Sequence, residues 1–148
     1  VNAPWSGVEY AFAAHLRLMG QTMQARRVAK DIYARYDEAG MRYNHIECGQ
    51  YYYRWMSAWA LYQAEFGLAW EAPARRLSLT LGKDVARLLC VLPCATATLA
   101  WDPAARRLTA TGLDGCQEVA VLRLNGSDRV LPEPLRLAAG ETTSVTVA

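Results

Sequence analysis

The stretch Glu71–Ala72–Pro73–Ala74–Arg75–Arg76–Leu77–Ser78–Leu79 marks the point where the chain changes character. Upstream, residues 5 to 72 hold all four methionines, all eight tyrosines and four of the five tryptophans, in helix-spaced patterns. Downstream from Leu77, short alternating runs of Val, Leu and Thr are cut by Gly, Pro, Asn and Asp. An α block followed by a β block implies two segregated layers or two domains, because a β-α-β sheet would interleave the two patterns. No internal repeat and no low-complexity stretch is evident at this level.

Working outward, 148 residues give room for one ordinary domain or two small ones. With 53% hydrophobic and 20% charged residues, the apolar surface suffices for a core, and wholesale disorder is excluded. Sixteen basic against fourteen acidic side chains leave +2, too little for nucleic-acid binding by bulk electrostatics. The longest uncharged apolar run, Leu88 to Ala100, is broken by Pro93 and too short for a transmembrane segment. Val1–Asn2–Ala3–Pro4 carries no charged leader, so a soluble chain is expected. The sequence does not set the compartment, with the cytoplasm favoured.

In the α block, Ser6–Gly7–Val8–Glu9 reads as a capping box. Val8, Phe12, His15, Leu16 and Met19 then fall on one face, and Gly20 stops the helix. A second helix is expected over about 22–36, with Met23, Val28, Ile32 and Tyr36 inward and Gln24, Arg27, Lys30 and Arg35 outward. A third, about 50–66, carries Tyr51, Tyr52, Tyr53, Trp55, Trp59 and Tyr62 on more than one face. A helix apolar nearly all round needs neighbours on several sides, more than two other helices supply.

In the β block, strands are expected at Leu77–Leu81, Arg87–Leu92, Thr96–Trp101, Leu108–Thr111, Glu118–Leu124 and Ser144–Val147. Asp102–Pro103, Asp114–Gly115 and Asn125–Gly126 read as turns, the last as a two-residue hairpin. That turn also explains the Asn125–Gly126–Ser127 sequon without a glycan. Six short strands suggest a small antiparallel sheet or sandwich.

Candidate chemistry is sparse. Cys48, Cys90, Cys94 and Cys116 are too few for a stapled scaffold, and His15 and His45 have no metal-ligand spacing to them. On one extended strand Cys90 and Cys94 would stand ~13 Å apart, beyond disulfide reach unless Pro93 folds them closer. Free thiols, no metal and no cofactor are expected. Phosphate-loop, dinucleotide and triad patterns are missing. The conspicuous segment is Asn44–His45–Ile46–Glu47–Cys48–Gly49 running into Tyr51–Tyr52–Tyr53–Arg54–Trp55. A carboxylate and a guanidinium seven residues apart among aromatics suit a neutral polyol, whose hydroxyls they grip while rings stack on its C–H faces. The same features also fit a capped helix with one ion pair and an aromatic core.

Trp5–Ser6–Gly7–Val8–Glu9–Tyr10, Arg35–Tyr36–Asp37 and Asn44 to Trp59 together resemble, in order and spacing, the last part of the catalytic domain of glycoside hydrolase family 116. This is the non-lysosomal glucosylceramidase and β-glucosidase family. It shows W-T/S-G-x-E-Y, then R-Y-D, then N-E-I-E-C-G-x-H-Y-x-R-x-M-A-S-W. The resemblance covers about residues 4–70. His45, Tyr51, Tyr53 and Trp55 depart from the pattern, while Glu47, Cys48, Gly49, Tyr52, Arg54, Met56 and Trp59 keep it. It implies the closing helices of an (α/α)6 barrel over residues 1–72. After Pro73 the resemblance stops, and the small antiparallel β-sheet or sandwich over 73–148, which makes the chain α+β, is read from its own pattern alone. The resemblance also implies a carbohydrate, β-glucoside-like substrate bound through Glu47 and Arg54. The two catalytic carboxylates of this retaining family lie upstream of the matched stretch, so no catalytic residue is assigned here. The remainder of the barrel, or another chain, would cover the helical face. A non-catalytic carbohydrate-binding or structural module, or a plain α+β interaction domain, is the alternative.

Overall fold

The computed structural model describes residues 5–40, 55–82 and 87–147. The chain divides into two units, Val1–Gly67 and Leu68–Ala148, five residues ahead of the expected 72/73 boundary.

The first unit contains α1 (Ser6–Leu18), α2 (Thr22–Glu38), a short 3-10 turn (Trp55–Ser57) and α3 (Ala58–Glu65). The expected inward face of α1 is wrong. Val8, Phe12 and Met19 are exposed, and Ser6, Tyr10, Ala13 and Ala14 are buried instead. The small side chains of Ala13 and Ala14 form the buried flank of α1, which packs on both α2 and α3. On α2, Ile32 and Tyr36 point inward as read, whereas Met23 is exposed. Tyr10, Ile32 and Tyr36 form the core, with Val28, Ala58 and Leu61 packed against them.

The second unit is all β: β1 (Ala69–Glu71), β2 (Arg76–Leu79), β3 (Arg87–Leu92), β4 (Ala95–Asp102), β5 (Arg107–Leu124), β6 (Ser127–Ala138) and β7 (Thr142–Thr146). The expected (α/α)6-barrel fold class is therefore overturned. Among the described residues there are three α-helices against seven strands, where such a barrel needs twelve helices. From Ala69 onward the apolar period is two, and a period of two cannot be buried by a helix.

β5 is the spine. The expected break at Asp114–Gly115 is a bend inside one 18-residue strand. One edge of β5 pairs with β4 through its first half and with β2 through its second; the other edge pairs with β7 and then β6. The β2–β5 pairing is parallel, contrary to the purely antiparallel expectation. Fully extended, 18 residues would span ~60 Å. Yet Arg106 and Asn125, which flank the two ends of β5, line one small cavity, so the strand folds back on itself. Two glycines permit the bend. A Cβ on Gly112 would run into the backbone of Ala138, and Gly115 sits at φ +67° against the Cys94 carbonyl. Leu77, Leu79, Leu99, Leu108, Val119, Leu122 and Leu137 are fully buried, on strands of both halves.

The hairpin at Asn125–Gly126 forms as read: Leu124 pairs with Ser127, and the two loop residues have φ of 50° and 85°. Asn125 adds a side-chain clasp, its Oδ1 accepting from Leu81 N at 2.9 Å and its Nδ2 donating to Leu81 O at 3.3 Å. Strand β6 escaped the sequence reading because Pro132 and Pro134 argue against a strand. They sit in a wide bulge, where Leu131 to Pro134 oppose the single residue Ala120, so no ladder bond is lost to their missing N–H groups.

Candidate functional site

Glu47 and Arg54, together with the whole of 41–54, lie outside the described residues. What the structure gives is the frame on either side. Helix α2 leads in and the 3-10 turn leads out, and both pack on α1.

That frame is held by the residues of the first two matched stretches. Tyr36 donates its hydroxyl to Ser6 Oγ at 2.9 Å in a buried setting, and Arg35 forms an ion pair with Glu9. Tyr10 stacks into the same core as Tyr36. The capping-box reading is corrected: Trp5 is the N-cap without a side-chain cap bond, and Ser6 and Glu9 face α2. A buried tyrosine hydroxyl needs a partner, and the serine supplies it. Burial, then the neighbouring Tyr36 and Glu9, push the Tyr10 phenol above its ordinary value, with Arg35 opposing. The two hydroxyls and the Glu9 carboxylate thus hold α1 against α2.

At the other end of α1, Arg17 Nε donates to Glu65 at 2.7 Å and Arg26 to the same carboxylate at 3.1 Å. Burial raises the Glu65 pKa, but the hydrogen bonds and charges of the two arginines outweigh it and hold the carboxyl below its usual range.

Among its described residues the β unit carries a groove and an adjoining cavity that the sequence reading missed. A groove of about 720 Å³ runs along β6 and β7 beside the proline bulge. A smaller cavity of about 230 Å³ lies between the β4–β5 and β5–β6 hairpin tips, lined among others by Trp101, Arg106, Ser127 and Arg129. The signal that could have found it is the pattern Trp–acid–three small residues–Arg–Arg–Leu, present at 70–77 and again at 101–108. It is an internal repetition, contrary to the reading that found none.

Among the described residues no three His, Cys, Asp or Glu side chains could hold a metal ion. Cys90, Cys94 and Cys116 are free thiols. No described helix is long and apolar enough to cross a membrane. No family model matches the chain, and no curated protein matches it either.

Proposed function

We propose that this chain is the C-terminal part of a glycoside hydrolase of the β-glucosidase and glucosylceramidase type, supplying sugar-binding residues rather than the catalytic carboxylate pair. The motif-bearing helices carry that role. One observation supports it above the others. The stretches Trp5–Tyr10 and Arg35–Asp37, which carry part of the resemblance to the family pattern, join residue to residue through Ser6–Tyr36 and Glu9–Arg35. Motif residues that meet in space around the flanks of 41–54 form one working unit. In it Glu47 accepts from two sugar hydroxyls, and Arg54 donates to the sugar or steadies Glu47.

The test is Glu47→Gln in the protein that carries this chain, followed by sugar calorimetry and thermal unfolding. A charged hydrogen bond contributes roughly 1.5–3 kcal/mol, so affinity for a β-glucoside should fall about ten- to a hundred-fold with little change in melting temperature. Unaltered affinity with a clearly lower melting temperature would make Glu47 a structural carboxylate. The 148 residues alone should not hydrolyse an aryl β-glucoside, because a retaining mechanism needs two carboxyls ~5–5.5 Å apart.

A further inference from the structure

The two copies of the Trp–acid–Arg–Arg–Leu pattern build the same hairpin. Glu71 pairs with Arg76 and Asp102 with Arg107, each across a four-residue loop. Each loop closes on an arginine in the left-handed region, Arg75 at φ 45° and Arg106 at φ 48°. Each is followed by a fully buried leucine, Leu77 or Leu108.

Their charges are treated in opposite ways. In the first hairpin Arg75 reaches Glu118 at 3.0 Å, and Arg76 binds both Glu71 and Asp128. In the second, Asp102 turns its carboxylate to the backbone N–H groups of Ala104 and Ala105. Among the described residues neither Arg106 nor Arg107 has an ion-pair partner. A non-glycine residue in this backbone region carries strain that glycine would avoid. Arg75 spends its guanidinium on Glu118; Arg106 has the small cavity before it.

The cavity around Arg106 is built for negative charge. Arg129 also lines it and has no acidic partner among the described residues, and Ser127 adds a hydroxyl. Among the described residues no carboxylate is on its lining. Asp128, adjacent in sequence, is taken by Arg76 and Arg123, and the Asn125 amide is taken by Leu81. The half-buried Trp101 supplies an apolar wall. At about 230 Å³ the space takes one ring with its substituents, below the ~300–1,000 Å³ of pockets that enclose drug-sized ligands.

We infer that this end of the β unit binds a single sugar ring bearing an oxyanion, a uronate-like group. Arg106 and Arg129 hold the oxyanion by charged hydrogen bonds, and Trp101 packs on the ring's C–H face. The oxyanion follows from the arginines alone; that its carrier is a sugar rests on the proposed function.

The experiment is titration of the full chain with D-glucuronate, D-glucose and inorganic phosphate, followed by calorimetry and amide NMR shifts. Glucuronate should bind saturably and more tightly than either of the others. Arg129→Gln and Arg106→Gly should each weaken it at least ten-fold. Arg106→Gly relieves the backbone strain, so its melting temperature should not fall, which separates lost binding from lost folding. Arg75→Gly makes the same backbone change in the matching hairpin and should leave glucuronate binding intact. The shifts are read at the amides of Trp101, Ser127 and Arg129, so the failure of the Glu47 site does not decide this one. Wild-type affinity in both arginine variants overturns the site, as does glucose shifting the amides of Trp101, Ser127 and Arg129 as readily as glucuronate does. Phosphate binding as tightly as glucuronate overturns the role of the ring and Trp101.

Discussion

Tyr36 carries its phenol between α1 and α2, where both its oxygen and Ser6 Oγ are shielded from water. Tyr36→Phe strands the serine hydroxyl, and a buried unsatisfied polar group costs ~1–3 kcal/mol. Urea unfolding followed by helical ellipticity should show a loss in that range, whereas Tyr33→Phe, at a half-exposed ring, should show almost none. Glu65 makes a pH prediction. Its folded pKa is lowered, so its contribution is fully present above the ordinary carboxylate value and is lost as pH falls through the folded value. The urea midpoint of the wild type should therefore drop on acidification more than that of Glu65→Gln, whose residue 65 does not titrate. The thiols differ in the same way: burial pushes Cys90 up to about 12, while Cys94 and Cys116 are exposed. In a Cys48→Ser background, a thiol reagent at pH 8 should label two sites at once and Cys90 only after unfolding.

The bend in β5 sets the strictest demand on any single element. Gly112→Ala forces a methyl group into the Ala138 backbone, so the two half-sheets must separate locally, at a cost of about 3 kcal/mol or more. Gly140→Ala provides the contrast, since nothing lies near its Cβ and only the φ of +76° resists, at ~1–2 kcal/mol. Thermal melts of the two variants should rank in that order. These elements also show what the sequence could disclose. Arg87–Leu92 was legible to the residue because an unbroken apolar run, Leu88 to Leu92, begins after a charge and ends at Pro93. Asp114–Gly115 misled, because a turn dipeptide also suits a bend that keeps its ladder. The two prolines hid β6, because a bulge that tolerates them is a property of the partner strand. The inward face of α1 could not be read, since alanines carry no hydrophobic signal and yet decide which helices approach. Of the candidate site, the Ser6–Tyr36 and Glu9–Arg35 pairs were present as motifs, but nothing local revealed that they face each other. The Arg106 cavity was hidden for a related reason: it joins residues from three loops distant in sequence.

At the scale of the molecule, the two units have unequal cores. The first is centred on Tyr10, Ile32 and Tyr36 and leaves Trp5, Val8, Phe12, Met19, Met23, Met56 and Trp59 at least half exposed. The second buries leucines on strands from β2 to β6. Residues 68–148 alone should therefore fold, giving dispersed amide resonances and one cooperative melt; collapsed resonances would show that the β unit leans on the helices. Pro132, Glu133 and Pro134 guard β6 against adding a foreign strand. The shared spine has a further consequence during synthesis. Arg76 pairs with Val121, and at ~5–20 residues per second the ribosome delivers that partner roughly 2–9 s later. Until then Leu77 and Leu79 have no parallel neighbour, and the β5–β7 ladder is complete only when the Val147 N–H reaches the Arg106 carbonyl. Slow codons placed between 80 and 121 would lengthen the exposure and lower the soluble yield without altering a single amino acid.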